Sequence, residues 1–134
     1  MAVVAVAGGH EWLLMVGGYN MRKSEREQTS LSAAPAPSLD LIFELLSNQR
    51  RRYLLYYLSE HETGSVDEIV EYVLTKEAGK EDRHTVTISI YHDHIPKLVD
   101  AGLLEYDKRS KTVRYWRQPS LEEWLEHAKY KELP

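Results

Sequence analysis

Residues 83–117 read RHTVTISIYHDHIPKLVDAGLLEYDKRSKTVRYWR, and the fold turns on the change that occurs at Gly102. Before it, Ile88, Tyr91, Ile95, Leu98 and Val99 recur at helical spacing. That spacing predicts a helix with one apolar stripe, closed by a glycine suited to the left-handed conformation that ends helices. After it the period drops to two. Leu104, Tyr106, Val113 and Tyr115 alternate with polar residues, and Asp107-Lys108-Arg109-Ser110-Lys111 between them reads as the tip of a β-hairpin. Pro96 lacks an N–H and crowds the turn before it, which predicts a kink or a helix restart at that point.

Working upstream, Leu39, Ile42, Phe43, Leu45 and Leu46 follow Ser38, a good N-cap, and the pattern pauses at Ser47-Asn48. It resumes in Arg50-Arg51-Arg52 and in a stripe of Leu54, Leu55 and Leu58, and Thr63-Gly64 reads as a turn. Ser65 and Glu68 form an S-x-x-E capping box ahead of Val66, Ile69, Val70, Val73 and Leu74, one apolar helix face. Downstream, Pro119-Ser120 opens a last helix with a second capping box, Ser120 with Glu123, and an apolar face of Leu121, Trp124, Leu125 and Ala128. The expected order is three helical segments, a two-stranded hairpin and a final helix: mainly α with a small β-hairpin, an α+β class.

The chain has 134 residues, enough for one domain with a tail. Residues 39–117 form the expected domain and 118–134 an added helix suited to dimerisation. Residues 1–38 are expected to be a disordered lead-in, or partly a translation upstream of a true start at Met21. The apolar run before Tyr19 is broken by glycines and has no basic residue ahead of it, so neither a signal nor a membrane anchor is expected. There is no cysteine, which excludes disulfides, thiolate metal sites and a thiol nucleophile. No Gly-rich phosphate loop, H-E-x-x-H or Ser/His/Asp spacing is present, and no enzymatic activity or cofactor is expected. His84, His92, Asp93 and His94 invite a metal reading. On a helix, however, positions 92 and 94 point about 200° apart, so no metal site is expected.

The order of elements is that of a winged helix-turn-helix. Leu45-Leu46-Ser47-Asn48-Gln49-Arg50-Arg51-Arg52-Tyr53-Leu54-Leu55 resembles the opening helix of ArsR-like regulators. His94-Ile95-Pro96-Lys97-Leu98-Val99-Asp100-Ala101-Gly102-Leu103-Leu104 resembles the end of their recognition helix, H-[LI]-x-x-L-x-x-A-G-L-[LIV]. From Leu39 to about Trp116 the chain is similar to an uncharacterised family of haloarchaeal winged-helix proteins. The resemblance implies DNA binding, with the third helix in the major groove and the hairpin, or wing, beside it. Two departures matter. Asp93 stands where ArsR-like proteins often carry Arg or Tyr toward DNA, and the metal-sensing cysteines are missing, so metal sensing is not implied.

The net charge of -4 gives no global nucleic-acid signature, but the charge is unevenly placed. Residues 38–82 carry five basic and ten acidic side chains, whereas residues 83–117 carry seven and four. A duplex meets only the surface that faces it, so one basic face on an acidic protein suffices. The expected DNA-binding residues are Arg83, Thr85, Thr87, Ser89, His92 and Lys97 on the recognition helix, with Lys108, Arg109, Lys111 and Arg114 on the wing. Of Arg50, Arg51 and Arg52, at most one or two can face any partner, and the others are expected to cap or to pair with Glu44 or Glu60. The resulting expectation is a cytoplasmic transcriptional regulator that binds double-stranded DNA as a homodimer. The alternative is a winged-helix module that binds protein through its hairpin or aromatic surface, favoured by the net acidity and by Asp93.

Overall fold

The computed structural model describes residues 36–133, so the reading of residues 1–35 lies outside the described residues. Helix α1, Leu39–Leu45, starts where Ser38 accepts a hydrogen bond from the Leu41 N–H at 3.1 Å. Ile42 and Leu45 face inward, while Leu39 and Phe43 of the same expected stripe face solvent. Helix α2, Gln49–His61, is capped by Asn48, whose side chain accepts from the Arg51 N–H at 2.9 Å. It supplies the centre of the core with Leu54, Leu55, Tyr56 and Leu58, each fully buried.

Thr63-Gly64 is a strand rather than a turn. Thr63–Ser65, β1, pairs antiparallel with a strand some fifty residues later, a partner that local sequence cannot reveal. Gly64 is required there, because a Cβ would stand 2.8 Å from Tyr57 Cε2. Helix α3, Val66–Glu77, has the expected capping box: Glu68 N–H donates to Ser65 Oγ at 3.1 Å and Ser65 N–H to Glu68 Oε1 at 2.9 Å.

The long helical stretch consists of α4, Arg83–Ser89, a π turn at Ile90–His94, and α5, Ile95–Asp100. Asp82 caps its start by accepting from the Thr85 N–H at 2.8 Å. The widened turn lies directly before Pro96, where an ordinary α turn would drive the proline ring into the carbonyl four residues back. The Ile95 N–H bonds instead to the Ile90 carbonyl, five residues back.

One extra residue in that turn rotates everything upstream by roughly 100°. The core face of α4 is therefore Val86 and Ile90, not the expected Ile88, which is 44% exposed. Helix α5 closes in a Schellman motif: Gly102 N–H donates to Val99 O at 2.9 Å and Leu103 N–H to Leu98 O at 3.0 Å, with Gly102 at φ +81°.

Strands β2, Leu104–Asp107, and β3, Thr112–Tyr115, form the expected hairpin, with Leu104 opposite Tyr115 and Tyr106 opposite Val113 on the core face. With β1 the sheet has three antiparallel strands in the order β1-β3-β2. Helix α6, Pro119–Glu132, begins with Gln118 as its cap, accepting from the Leu121 N–H at 3.0 Å. The expected Ser120 and Glu123 box does not form, because Pro119 fits the first helical turn, where no N–H is needed, and starts the helix earlier. Leu121 and Leu125 are buried, and α6 packs back on α1 and α2. The result is an α+β, winged-helix-like fold. Among the described residues no helix is long and apolar enough to cross a membrane.

Candidate nucleic-acid interface

The rotation of α4 decides which side chains it presents. His84, Thr85, Ile88, His92 and Asp93 are exposed, and Thr87 and Ser89 are half-buried beside the Val86 and Ile90 core face. Thr85 and His92 thus belong to an accessible polar surface, whereas Thr87 and Ser89 are partly withdrawn. Ile88 joins that surface although its spacing in sequence assigns it to the core. His94 turns inward: it is 4% exposed, with Nδ1 3.3 Å from Arg51 Nη1, and burial and the Arg51 charge push its imidazole down to about 4.

The basic residues divide into two groups. Arg83 is ion-paired with Glu71 of α3, and Lys97 with Glu44 of α1 at 2.8 Å. Arg117 pairs with Glu62 at 3.2 Å and donates to the Ser59 carbonyl at 2.6 Å. Lys108, Arg109 and Lys111 at the hairpin tip are exposed and form no ion pair among the described residues. Asp107 shapes that tip: its carboxylate accepts from the Arg109 N–H at 3.3 Å and from the Ser110 hydroxyl at 2.6 Å, and its carbonyl accepts from the Lys111 N–H at 2.8 Å. Lys111 adopts φ +57°, which turns the chain back into β3. Arg114 lies on the outer face of the sheet with its guanidinium 4.2 Å from the centre of the Trp116 ring.

Arg50, Arg51 and Arg52 are all used inside the protein: Arg51 and Arg52 cap carbonyls at the end of α1 as expected, while the carboxylates paired differ from Glu44 and Glu60. Arg50 forms a two-pronged pair with Glu77 at 2.7 and 2.9 Å and reaches Glu81 at 3.0 Å. Arg51 donates to the Leu45 and Glu44 carbonyls, and Arg52 pairs with Glu132. Glu60 binds Lys129 at 2.6 Å. The arginine run thus ties α1, α3 and α6 to α2 instead of facing a phosphate.

One buried carboxylate interrupts the pattern. Alternation along β2 turns Glu105 away from the core, yet it is only 6% exposed, covered on the outer sheet face, and its Oε1 has no hydrogen-bond partner. Burial raises its carboxyl to about 7, against the opposing effects of the nearby Trp116 indole N–H and the charge of Arg114.

Helices α1 to α6, a three-stranded sheet and an exposed basic hairpin tip define a winged-helix-like protein. Residues 43–114 match the family described as a domain of unknown function (DUF7344), and the chain belongs to that family. No curated protein and no solved structure matches it.

Proposed function

We propose that this chain is a cytoplasmic, non-enzymatic, ArsR-like transcriptional regulator that binds double-stranded DNA. In this reading α4 enters the major groove and the hairpin lies along phosphates. The observation that carries it is the contrast among the cations: Arg83, Lys97 and Arg117 have carboxylate partners, while Lys108, Arg109 and Lys111 stand exposed without one among the described residues. Phosphate contacts supply affinity without sequence information, and hydroxyls and imidazole at a groove can read base edges. Thr85, Ser89 and His92 are the exposed or half-exposed groups suited to that second task.

The test is titration of fluorescent duplex fragments across a salt series that includes the native salt. Lys108→Ala combined with Arg109→Ala should weaken binding to all sequences alike and reduce the slope of log affinity against log salt by about 2. Ser89→Ala and His92→Ala should instead change which fragments are preferred. Equal affinity and equal slope in the double variant would remove the wing from the interface.

A homodimer suits a two-fold operator. The surface best placed to form it joins α1 and α6, where Leu39, Phe43 and Trp124 are 55%, 47% and 39% exposed and Phe43 meets Trp124 edge to face at 5.2 Å. Light scattering at working salt should give a dimer mass that Trp124→Glu reduces to that of a monomer. A monomer mass for the unmodified chain would overturn the dimer.

A further inference from the structure

Glu105 is the one described buried side chain with a polar atom left without a partner, and the wing's other features give it no structural task. A buried carboxylate oxygen without a donor costs free energy and is seldom kept for packing alone. Its surroundings are specific. Glu105 on β2 stands directly opposite Arg114 on β3, so the two side chains leave the same face of the sheet as close neighbours. Trp116, on that face too, carries the Arg114 guanidinium on its ring, at 4.2 Å from the ring centre.

The other charged groups around it are already occupied or turned outward. On its own strand, Asp107 receives the Ser110 hydroxyl and the Arg109 N–H. The neighbouring strand β1 is Thr63, Gly64 and Ser65 and brings no charge. Helix α5, packed beside β2, brings Lys97, which is paired with Glu44, and Asp100, which is exposed.

We propose that Glu105 gates Arg114 by taking up and releasing a proton: ionised, it holds the guanidinium against the sheet, and protonated, it frees Arg114 to reach a phosphate of bound DNA. The proton exchanges with solvent at the carboxylate. The physical basis is the unpartnered Oε1. As an anion it needs a donor, and Arg114, opposite it across the strands, is the cation able to supply one. As a neutral acid it no longer attracts the guanidinium, which is then held by the Trp116 ring alone, an interaction worth little at a solvent-facing site. Burial places the changeover near neutrality, at about 7, where a modest change of pH redistributes the two forms.

The gate's effect on DNA rests on the proposed regulator function, but its first readout does not. In the 15N NMR spectrum of the full chain, the Trp116 indole N–H signal should move with pH with a midpoint near neutrality. In Glu105→Gln, which keeps an acceptor but cannot ionise, that signal should stay fixed. On duplex DNA at constant salt, the wild-type chain should lose about fivefold more affinity than Glu105→Gln between pH 6 and pH 8. The exposed histidines are common to both proteins, so the difference between them isolates Glu105. Arg114→Gln should remove the same increment. A Trp116 signal that does not titrate in the wild type, or identical affinity profiles with and without the carboxyl, overturns the gate. If duplex binding is missing at every pH while Trp116 still titrates through Glu105, the regulator reading fails and the coupling of carboxyl to indole stands.

Discussion

Glu132→Ala is expected to lower the stability of the folded chain by about 3 kcal/mol at neutral pH, the scale of breaking a largely buried ion pair. Four hydrogen bonds converge on this carboxylate from α2. Arg52 donates at 2.9 Å to one oxygen and 2.8 Å to the other, Tyr56 donates its hydroxyl at 2.7 Å, and Gln49 its amide at 2.8 Å. An anion in the last turn of a helix is opposed by the helix dipole, so this arrangement exists only because Arg52 stands against it. The Arg52 hydrogen bond is the chief cause that holds the carboxyl down at about 2, against an ordinary value of 4.5.

The sign of the pH dependence follows from that depression. The contribution is fully present above the ordinary carboxyl value and is lost as pH falls from about 4.5 toward about 2. Urea unfolding should therefore show a large gap between wild type and Glu132→Ala at pH 7 that narrows by pH 3. A gap under about 0.5 kcal/mol at pH 7, the range of unremarkable surface changes, would show that α6 is held by Leu121, Leu125 and contacts such as Lys129 with Glu60, without help from Glu132.

The same cluster shows where sequence stops being informative. Helical geometry predicts that at least one of Arg50, Arg51 and Arg52 serves the protein itself, but that all three do, and that Arg50 and Arg52 reach Glu77, Glu81 and Glu132, is decided by packing between elements remote in sequence. Capping at Ser38 and Ser65 and the glycine closure at Gly102 are legible because each is decided within one helical turn. The hairpin is legible from its alternation, whereas β1 is three residues whose pairing depends on a distant strand. Pro96 signals a disturbance without saying how the helix absorbs it. The π turn that does so rotates α4, which places Ile88 outside and leaves Thr87 half-withdrawn. On the wing, the exposure of Lys108, Arg109 and Lys111 matches their reading as tip residues. The burial of Glu105 escapes alternation, which places it on the face of the sheet away from the core and so expects it to be exposed.

Arg51→Met is expected to cost about 2 to 3 kcal/mol, because it keeps most of the side-chain volume while stripping the buried Leu45 carbonyl of its donor. Arg51 is 7% exposed, and it closes the end of α1 by donating from Nε to the Leu45 carbonyl at 2.7 Å and from Nη2 to the Glu44 carbonyl at 2.9 Å. Both carbonyls belong to the helix terminus; Glu44 also accepts from the Ser47 N–H at 3.2 Å and the Ser47 hydroxyl at 2.7 Å, so the Leu45 carbonyl is the one that depends on Arg51. Its third prong, Nη1, lies 3.3 Å from His94 Nδ1. Since a guanidinium can only donate, the histidine nitrogen accepts, which assigns the imidazole proton to Nε2. Arg51 therefore joins the end of α1 to the π turn beneath α4.

The histidine gives an independent readout of the same contact. With its imidazole pushed from 6.5 to about 4, His94 favours the folded state fully above 6.5, and that contribution erodes as pH falls toward 4, because the unfolded chain binds the proton first. Burial is the main cause of the depression and the Arg51 charge the second. In Arg51→Met the second cause is gone, so His94 should titrate higher and the loss of stability on its account below pH 6.5 should be smaller. Urea unfolding at pH 7.5 measures the cost, and an NMR titration of the His94 ring measures the shift. A variant within about 1 kcal/mol of wild type would mean that water reaches the Leu45 carbonyl when the guanidinium is removed. An unmoved His94 titration would mean that its neutrality comes from burial alone. The two outcomes separate because one depends on the Arg51 donors and the other on its charge.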